Sequence, residues 1–479
     1  ETDSLAEVSI CYTGDITNPE RTKFNLQYYL DLARSIEDAG AHILAIKDMA
    51  GLLKPKAATL LIKELKKAID LPIHLHTHDT AGIQSGTLLA AVDAGVDIID
   101  VALASMSGLT SQPNFNSIAA GLKGHRRENP IDVDSLNEFS NYWEAVREVY
   151  YPFETELRAG TAEVYNHEIP GGQYSNLRPQ ARGLGLEDQF ETIKKNYIAA
   201  NELFGDIIKV TPSSKVVGDM AMFMTSNGLC KEDVLQQGHT LSFPDSVKAL
   251  MRGDLGQIKG GFPKAFQKLV LNEEKPYTHK PNKNLKPVDF KKDYAAFKKK
   301  FGANMEMTDF LSYVLYPKVF ADYQDHLDQY GKTQWLPTTT YFYGLQVGEE
   351  VLVELEPGKR VLVEFRYQSE PNEKGERLLS FKLNGQTRTI YIKDNNATSN
   401  EVIHQKAEAP NEVGAPLQGS ISDILVKKGD KVKVNDPLFI IEAMKMETTV
   451  SSPIAGTVKR VHLKVKTMVG QDDLVIELE

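Results

Sequence analysis

Cysteine is nearly absent from this chain, which has only Cys11 and Cys230 among its 479 residues. Two cysteines are too few for a disulfide scaffold, so the sequence favours a reducing compartment. Long apolar runs are also missing, since none approaches the roughly 20 residues of a membrane-spanning helix. The formal net charge is −10, whereas nucleic-acid surfaces need clustered Lys and Arg. We therefore expect neither a membrane nor a nucleic acid as partner.

A starting methionine and a targeting segment are missing as well, because the sequence begins Glu1-Thr2-Asp3. This start predicts a piece of a longer polypeptide. Charged residues make up 25% and hydrophobic residues 41%, which is ordinary for a globular protein. The length corresponds to about three domains.

Strand-like and helix-like patterns alternate over residues 1–125. The strand-like segments are 8–12, 42–47, 73–78 and 97–103. Four successive βα units predict a parallel sheet with right-handed crossovers. A closed (β/α)8 barrel needs eight such units. The alternatives are a small doubly wound sheet and the second half of a barrel, and the missing start favours the second.

Three histidines share one face of the third predicted strand. His74, His76 and His78 are two residues apart, and such residues point the same way in a strand. His76 and His78 lie nearest the carboxyl end, where barrel active sites lie, and His74 lies one layer deeper. The pair is either a satisfied part of the core or a metal site, since imidazole is a common zinc ligand.

Several other segments admit a structural or a functional interpretation. Lys47 ends the neighbouring strand, either in an ion pair with Asp48 or as a site residue. Residues 209–215 form either a turn with a helix N-cap or a site rich in hydroxyl groups. Aromatic side chains at helical spacing over 142–151 predict a stripe facing the core, and 170–174 predicts a tight turn. The chain from 230 to about 327 is predicted to be helical.

Strand patterns dominate the chain after residue 338. Segments 351–355, 361–365, 378–383 and 387–392 are strand-like, with a hairpin turn at Asn384-Gly385. No catalytic constellation occurs there, which predicts a spacer or docking domain. A polar linker, 393–413, precedes two similar half-sequences, 414–430 and 452–465. Lys445 falls at the turn between them, either as a solvated lysine or as one exposed for covalent attachment.

The sequence around this lysine, Ala443-Met444-Lys445-Met446, resembles the biotin carboxyl carrier family. The resemblance implies that Lys445 carries biotin, attached by a biotin protein ligase. It also implies one enzyme site that loads the biotin with CO₂ and another that unloads it.

Four further segments resemble the carboxyltransferase barrel of the pyruvate carboxylase family, with related segments in oxaloacetate decarboxylase and transcarboxylase. They are residues 47–55 (KDMAGLLKP), 76–80 (HTHDT), 105–108 (SMSG) and 209–220 (KVTPSSKVVGDM). The resemblance implies that Lys47 is carbamylated and binds a divalent metal, zinc or manganese, together with His76 and His78.

The same resemblance implies that Thr211 moves a proton between pyruvate and biotin, and that Ser214 and Lys215 lie near the incoming biotin. The family's aspartate ligand from the first barrel strand and its pyruvate-binding arginine have no counterpart in this sequence. We therefore expect the chain to be inactive alone.

The implied fold is multidomain α/β. We expect the second half of a (β/α)8 TIM-type barrel with a helical funnel at residues 1–328. A small β-rich tetramerisation or allosteric domain and a linker follow at 329–405, and an all-β biotinyl carrier domain of the hammerhead type at 411–479.

The implied reaction is the carboxylation of pyruvate to oxaloacetate, which serves anaplerosis and gluconeogenesis. ATP, Mg and bicarbonate would form carboxybiotin in a carboxylase domain that belongs to the N-terminal remainder of the polypeptide and is absent here. A cytoplasmic homotetramer is expected, or one in the mitochondrial matrix of a eukaryote, with acetyl-CoA or a cyclic dinucleotide as regulator. The alternatives are an oxaloacetate decarboxylase or transcarboxylase subunit, and a non-catalytic biotin-carrier scaffold.

Overall fold

The structure is a computed structural model that describes residues 3–155, 157–272, 274–372, 374–394, 404–443 and 446–479. It divides into two compact units. The first comprises Glu1–Lys283 with His404–Glu479, and the second comprises Asn284–Ile403.

A parallel four-stranded sheet begins the first unit, with its strands in sequential order. The register is continuous, with Lys47 opposite His76. A doubly wound sheet reverses its strand order part-way, whereas a barrel keeps it, so the order is that of half a barrel. The elements are β1 (Glu7–Cys11), α1 (Leu26–Asp38), β2 (Ile43–Asp48), α2 (Pro55–Ala68), β3 (Ile73–Thr77), α3 (Gln84–Ala94) and β4 (Ile98–Ile99).

Apolar strand residues bury this sheet against its helices. Leu44, Ile46 and Leu75 are fully buried in one cluster with Leu61 and Leu88 from the helices. Each buried aliphatic side chain stabilises the fold by about 1.5–3 kcal/mol, which anchors the polar residues at the strand ends. The fourth strand is much shorter than the predicted segment 97–103.

A helical region follows. Its helices are α4 (Phe115–Gly121), α5 (Val133–Tyr150), α6 (Val164–His167), α7 (Gly171–Gly183), α8 (Phe190–Leu203), α9 (Ser213–Ser226), α10 (Lys231–Gln237), α11 (Asp245–Arg252) and α12 (Lys264–Leu271). Two predictions are wrong here. The expected turn at 170–174 is the beginning of α7. The aromatic residues of α5 are exposed, because the helix packs through the small Ser140, whose hydroxyl accepts the Ser105 N–H.

The second unit joins a helical part to an antiparallel sheet of order β5-β6-β7-β8. Phe297, Phe310 and Phe320 form a small aromatic core. At the predicted hairpin turn, Asn384 and Gly385 have φ values of 46° and 86°, as a type I′ turn requires. The elements are α13 (Phe290–Phe301), α14 (Met307–Leu315), α15 (Pro317–Tyr330), α16 (Thr338–Tyr343), β5 (Glu350–Glu356), β6 (Lys359–Gln368), β7 (Glu376–Leu383) and β8 (Gln386–Lys393).

The C-terminal part of the chain returns to the first unit as two small sheets of order β13-β12-β10-β15 and β11-β14-β16-β9. Ile421, Phe439 and Ile441 are fully buried within them. The strands are β9 (Glu412–Gly414), β10 (Gly419–Ile424), β11 (Lys431–Val432), β12 (Pro437–Ala443), β13 (Met446–Ser451), β14 (Gly456–Val461), β15 (Met468–Val469) and β16 (Leu474–Leu478).

Lys445, the predicted biotin attachment residue, lies outside the described residues. The strands β12 and β13 that flank it are described, and they pair antiparallel with Ala443 opposite Met446. In the described part of the chain, no helix combines the length and the apolar character needed to cross a membrane.

Candidate active site

A buried carboxylate shapes the loop after β2. Asp48 is fully buried and accepts the backbone N–H groups of Leu52 and Leu53 and the hydroxyl of Thr77, at 2.8–2.9 Å. Burial raises the pKa of Asp48, although these hydrogen bonds oppose the change. Since its oxygens serve the loop and Thr77, Asp48 is not the ion-pair partner of Lys47 that the sequence left open.

This loop lies tightly against the end of β3. Gly51 has φ of +75°, and a Cβ on it would come within 2.2 Å of the carbonyl oxygen of His78. Only glycine fits such an approach without a shift of the backbone. The loop therefore holds the ends of β2 and β3 side by side.

The structure brings Lys47, His76 and His78 together at these strand ends. Lys47 lies opposite His76 in the parallel register. Burial is the main cause that lowers the pKa of His78, and the positive charge of Lys47 lowers it further. No carboxylate of the described residues lies within 4.0 Å of the Lys47 ammonium group.

Each of the two histidines is oriented through its Nδ1 atom. His76 Nδ1 lies 2.7 Å from a carboxylate oxygen of Asp100, and His78 Nδ1 lies 2.6 Å from the carbonyl oxygen of Thr110. Both partners are acceptors, so both Nδ1 atoms carry a proton, and in the neutral form of each ring the Nε2 atom presents a lone pair. Those two Nε2 atoms are 3.2 Å apart.

This arrangement fits a divalent cation. Two lone pairs that face each other at this distance repel, and an ion between them turns the repulsion into attraction. Two nitrogens at about 2.1 Å from one ion are about 3.2 Å apart when the angle at the ion is about 100°. Among the described residues, no group of three or more His, Cys, Asp and Glu side chains converges on a metal position. The two histidines therefore supply part of a shell, and Lys47 is the neighbouring residue that could complete more of it.

His74, which the sequence predicts to lie one layer deeper, has different hydrogen-bond partners from His76 and His78. Its Nε2 atom lies 2.9 Å from Asp100, and its Nδ1 atom lies 3.2 Å from Glu7. Burial would lower the pKa of His74, but the hydrogen bonds with Asp100 and Glu7 outweigh burial and raise it. With both ring nitrogens engaged, His74 helps to position Asp100.

Sequence reasoning missed three residues that support the pair, namely Asp100, Thr110 and Gly171. A Cβ on Gly171 would come within 2.8 Å of His78 Nδ1, so the first turn of α7 covers the hydrogen bond between His78 and Thr110. Asp100 carried a usable signal, because it lies near the carboxyl end of β4. Thr110 acts through its backbone, which leaves no signal in the side chain.

Thr211, Ser214 and Lys215 lie at the start of α9. Thr211 is exposed and Ser214 is buried. Lys215 forms an ion pair of 2.7 Å with Asp219, which also accepts the hydroxyl of Ser246. Burial raises the pKa of Asp219, against the attraction of Lys215. In the described residues, no direct hydrogen bond or ion pair links this group to the histidine pair. The helix α7 lies between them, because it begins at Gly171 beside His78 and also contacts α9.

The C-terminal β domain packs on the same helical region. The hydroxyl of Thr449 donates to Asp245 at the beginning of α11, over 2.7 Å. A polar groove of about 810 Å³ adjoins this contact, lined on one side by Gly238, Phe243 and Lys268 and on the other by Asn435 and Ser452. β13, which follows residue 445, therefore contacts the helical region directly.

Three family models match successive parts of the chain. They are described as HMGL-like, at residues 15–142, as a conserved carboxylase domain, at 164–364, and as a biotin-requiring enzyme, at 411–478. The pyruvate carboxylase of Staphylococcus aureus is 48% identical over 482 residues, and the human mitochondrial pyruvate carboxylase is 42% identical over 480 residues. The chain belongs to the pyruvate carboxylase family. It covers 42% of the S. aureus relative and 41% of the human one, and it corresponds to their C-terminal part.

Solved structures agree with this assignment. The carboxyltransferase domain of Rhizobium etli pyruvate carboxylase matches with a TM-score of 0.74 and 48% identity, over 82% of this chain and 66% of that chain. The same domain solved with pyruvate and biocytin matches equally well. The predicted fold class, a multidomain α/β chain with half a barrel and a biotinyl domain, is confirmed.

Proposed function

We propose that this chain supplies the carboxyl-transfer site and the biotin carrier of an enzyme that carboxylates pyruvate to oxaloacetate. The observation that carries the proposal is the match to pyruvate carboxylases along nearly the whole chain, at 42–48% identity. Pyruvate and bicarbonate are then the substrates of the complete enzyme. The relatives found in the comparisons favour this reaction over an oxaloacetate decarboxylase or a non-catalytic scaffold.

The histidine pair supports a metal-assisted reaction. His76 and His78 would bind a divalent ion, zinc or manganese, through their Nε2 atoms, and Lys47 would join them as a carbamate. Carbamylation replaces a cation with an anionic oxygen ligand, which removes the repulsion between lysine and metal. A bound ion supplies positive charge that stabilises the enolate of pyruvate.

Thr211 is the proton carrier in this proposal. Its hydroxyl oxygen would accept a proton from the methyl carbon of pyruvate while its own proton would pass to the ureido nitrogen that CO₂ leaves. The enolate formed in this way would take up that CO₂ to give oxaloacetate. A hydroxyl group suits this exchange because it donates and accepts at the same atom. The exposure of Thr211 leaves its hydroxyl group accessible to pyruvate and to an incoming biotin.

Lys445 would hold the biotin, and Ser214 and Lys215 would bind it beside Thr211. Biotin supplies a carrier for CO₂ when it is bound to the lysine. The biotin-requiring family model spans this lysine, and the contact between Thr449 and Asp245 keeps the neighbouring strand on the helical region. The chain's role here is to deliver the cofactor and to orient it.

The wider assembly is part of the same proposal. We assign carboxyl transfer to residues 1–328, tetramerisation and allosteric control to 329–405, and the carrier to 411–479. The second compact unit begins at Asn284. The helices α13 and α14 and most of α15 therefore lie inside the range assigned to carboxyl transfer but form part of the second compact unit. A carboxylase domain using ATP and Mg, a homotetramer, a cytoplasmic or mitochondrial location, biotin protein ligase as a partner and regulation by acetyl-CoA or a cyclic dinucleotide complete the proposed setting.

The decisive experiment uses a full-length pyruvate carboxylase that carries this sequence as its C-terminal part. We expect oxaloacetate formation that depends on ATP, bicarbonate and pyruvate, and peptide mass mapping should find biotin on Lys445. The Lys445→Arg variant should lose both the modification and the overall reaction. A biotin-free Lys445 after coexpression with a ligase, or an active Lys445→Arg enzyme, would refute the proposal.

A further inference from the structure

We propose that Glu168 is a positioning residue that sets the distance between the proton carrier Thr211 and the histidine pair. This inference rests on the proposed function, since it gives Glu168 a role in that reaction. The geometry behind it is a buried ion pair between Glu168 and Lys209. Neither residue carries a role in the site described above.

The ion pair anchors the segment that leads to Thr211. Lys209 lies two residues before Thr211, and its ammonium group is 2.8 Å from Oε2 of Glu168. The side chain of Lys209 is only 3% exposed and that of Glu168 is 13% exposed. A buried lysine is costly unless it is paired, so Lys209 is strongly held to this one carboxylate. Two residues of backbone reach at most about 7 Å, which limits how far Thr211 can move.

The other oxygen of Glu168 fixes the carboxylate from a second side. Oε1 accepts a hydrogen bond of 3.1 Å from Arg21, in the loop between β1 and α1. Arg21 also lies 3.8 Å from Asp206, and Lys23 donates to the carbonyl oxygens of Gly205 and Asp206. The segment before Thr211 is thus tied to a loop at the carboxyl end of β1.

The backbone of Glu168 leads in the other direction to the histidines. Glu168 has φ of +53°, a conformation that is uncommon outside glycine and persists where the surroundings enforce it. Three residues later, Gly171 donates its N–H to the carbonyl oxygen of Met49 over 2.8 Å and lies against His78 Nδ1. One residue therefore connects the proton carrier, through Lys209, with the histidine pair, through Gly171.

This connection matters because proton transfer is sensitive to distance. A displacement of about 1 Å can cost roughly 10²-fold in rate. Glu168 would contribute to catalysis by keeping the Thr211 hydroxyl within reach of a methyl carbon held near the cation. Loss of its charge should slow proton transfer and leave the metal ligands unchanged.

The test is the kinetic isotope effect on pyruvate deuterated at the methyl group, measured in the full-length enzyme. In Glu168→Gln we expect kcat for oxaloacetate formation to fall by roughly 10- to 100-fold and the isotope effect to rise, because proton transfer becomes rate-limiting. Metal content and biotin loading should match the unmodified enzyme. Glu168→Asp keeps the negative charge that pairs with Lys209 and shortens the side chain. It should therefore lower kcat and raise the isotope effect, each by less than Glu168→Gln does.

A matched control is available nearby. Glu163 forms an ion pair of 2.5 Å with Lys194, whose side chain is 9% exposed. In the described residues, neither side chain of this pair forms a hydrogen bond or an ion pair with Thr211, His76 or His78. Glu163→Gln should therefore leave the isotope effect at its unmodified value, whatever its effect on thermal stability.

Hydrogen exchange supplies a readout that does not depend on the reaction. Glu168→Gln should accelerate exchange at the amides of both 207–210 and 170–173, since both segments lose their common anchor. Acceleration at one segment alone or at neither, or a lower kcat with an unchanged isotope effect, overturns the inference. If the unmodified enzyme makes no oxaloacetate, the proposed function fails, and the exchange result still decides the structural link.

Discussion

The two sides of the proposed active site are held in different ways. His76 and His78 project from a central strand, and each is oriented by a hydrogen bond from another element. Thr211 is exposed at the start of a helix, and no hydrogen bond in the described residues holds its hydroxyl group. The carrier domain is attached to the helical region by a surface contact between Thr449 and Asp245.

This difference follows from the chemistry proposed for each side. Metal ligands must remain in one geometry, so their supporting hydrogen bonds are short and partly buried. A proton carrier and a travelling cofactor must meet groups that come and go. Four experiments test this difference between the histidine side and the accessible side that contains Thr211 and the carrier.

The largest effect is expected at Thr211. Removal of its hydroxyl in Thr211→Ala should lower pyruvate carboxylation by about 10²- to 10⁴-fold, the usual contribution of a positioned acid or base. The bound metal, measured by elemental analysis, should be unchanged. Thr211→Ser is the control and should keep a substantial part of the activity. A Thr211→Ala enzyme within a few-fold of the unmodified rate would show that another group moves the proton.

The next effect is expected at Asp100, which orients His76 and His74. Asp100→Asn keeps the shape but weakens the acceptor, so metal affinity should fall by roughly 10- to 100-fold. Competition with a chelator gives the affinity directly. Asp93→Asn, which removes an exposed carboxylate bonded to the half-buried His125, is the matched control. Equal affinities in Asp100→Asn and the control would contradict the proposed role of the histidine pair.

A third experiment addresses His167, in the segment that joins the two sides. His167 is buried, stacks on Tyr174 and accepts the N–H of Ile169 at Nδ1. Burial lowers its pKa from 6.5 to about 4. Between these values the unfolded chain binds more protons than the folded chain, so stability falls as the pH falls. The loss should be about 2 kcal/mol between pH 7 and pH 5.

His167→Phe keeps the aromatic stack and removes the titrating group. Its thermal midpoint should therefore change less between pH 7 and pH 5 than that of the unmodified protein. Parallel pH profiles for the two proteins would rule out His167 as an acid-sensitive element of this segment.

The smallest effect is expected at the carrier contact. Asp245→Asn weakens a hydrogen bond to a charged acceptor, so docking should lose about 1–2 kcal/mol. Hydrogen exchange in β13 should accelerate, with no change around His76. Asp423→Asn serves as control, because the Asp423 carboxylate accepts the N–H of the adjacent Ile424. Unchanged exchange in β13 would mean that other contacts hold the carrier.

Local patterns made much of the fold predictable. The alternation of strands and helices over the first part of the chain is observed, and the Asn384-Gly385 hairpin lies where its sequence predicts it. The sequence also identified Lys47, His76 and His78, which the structure brings to one edge of the sheet. The metal-binding roles of Lys47, His76 and His78 and the roles of Thr211, Ser214, Lys215 and Lys445 remain predictions.

Other features needed the folded chain. The aromatic residues of α5 have helical spacing, yet spacing does not reveal whether a neighbour covers that face, and it is exposed. The turn expected at 170–174 is a helix start because Gly171 bonds to the distant Met49. Neither the exposed face of α5 nor the hydrogen bond between Gly171 and Met49 can be inferred from the neighbouring residues in the sequence.

The order of residues by itself determined the succession of strands and helices, the shared face of the three histidines and the family, because periodicity and motifs are local properties of the chain. Tertiary structure alone decided that Asp100 and Thr110 orient the histidines and that Glu168 joins Lys209 to Arg21. These contacts connect residues 24 to 147 positions apart, and only the packing of the core brings them within hydrogen-bonding distance.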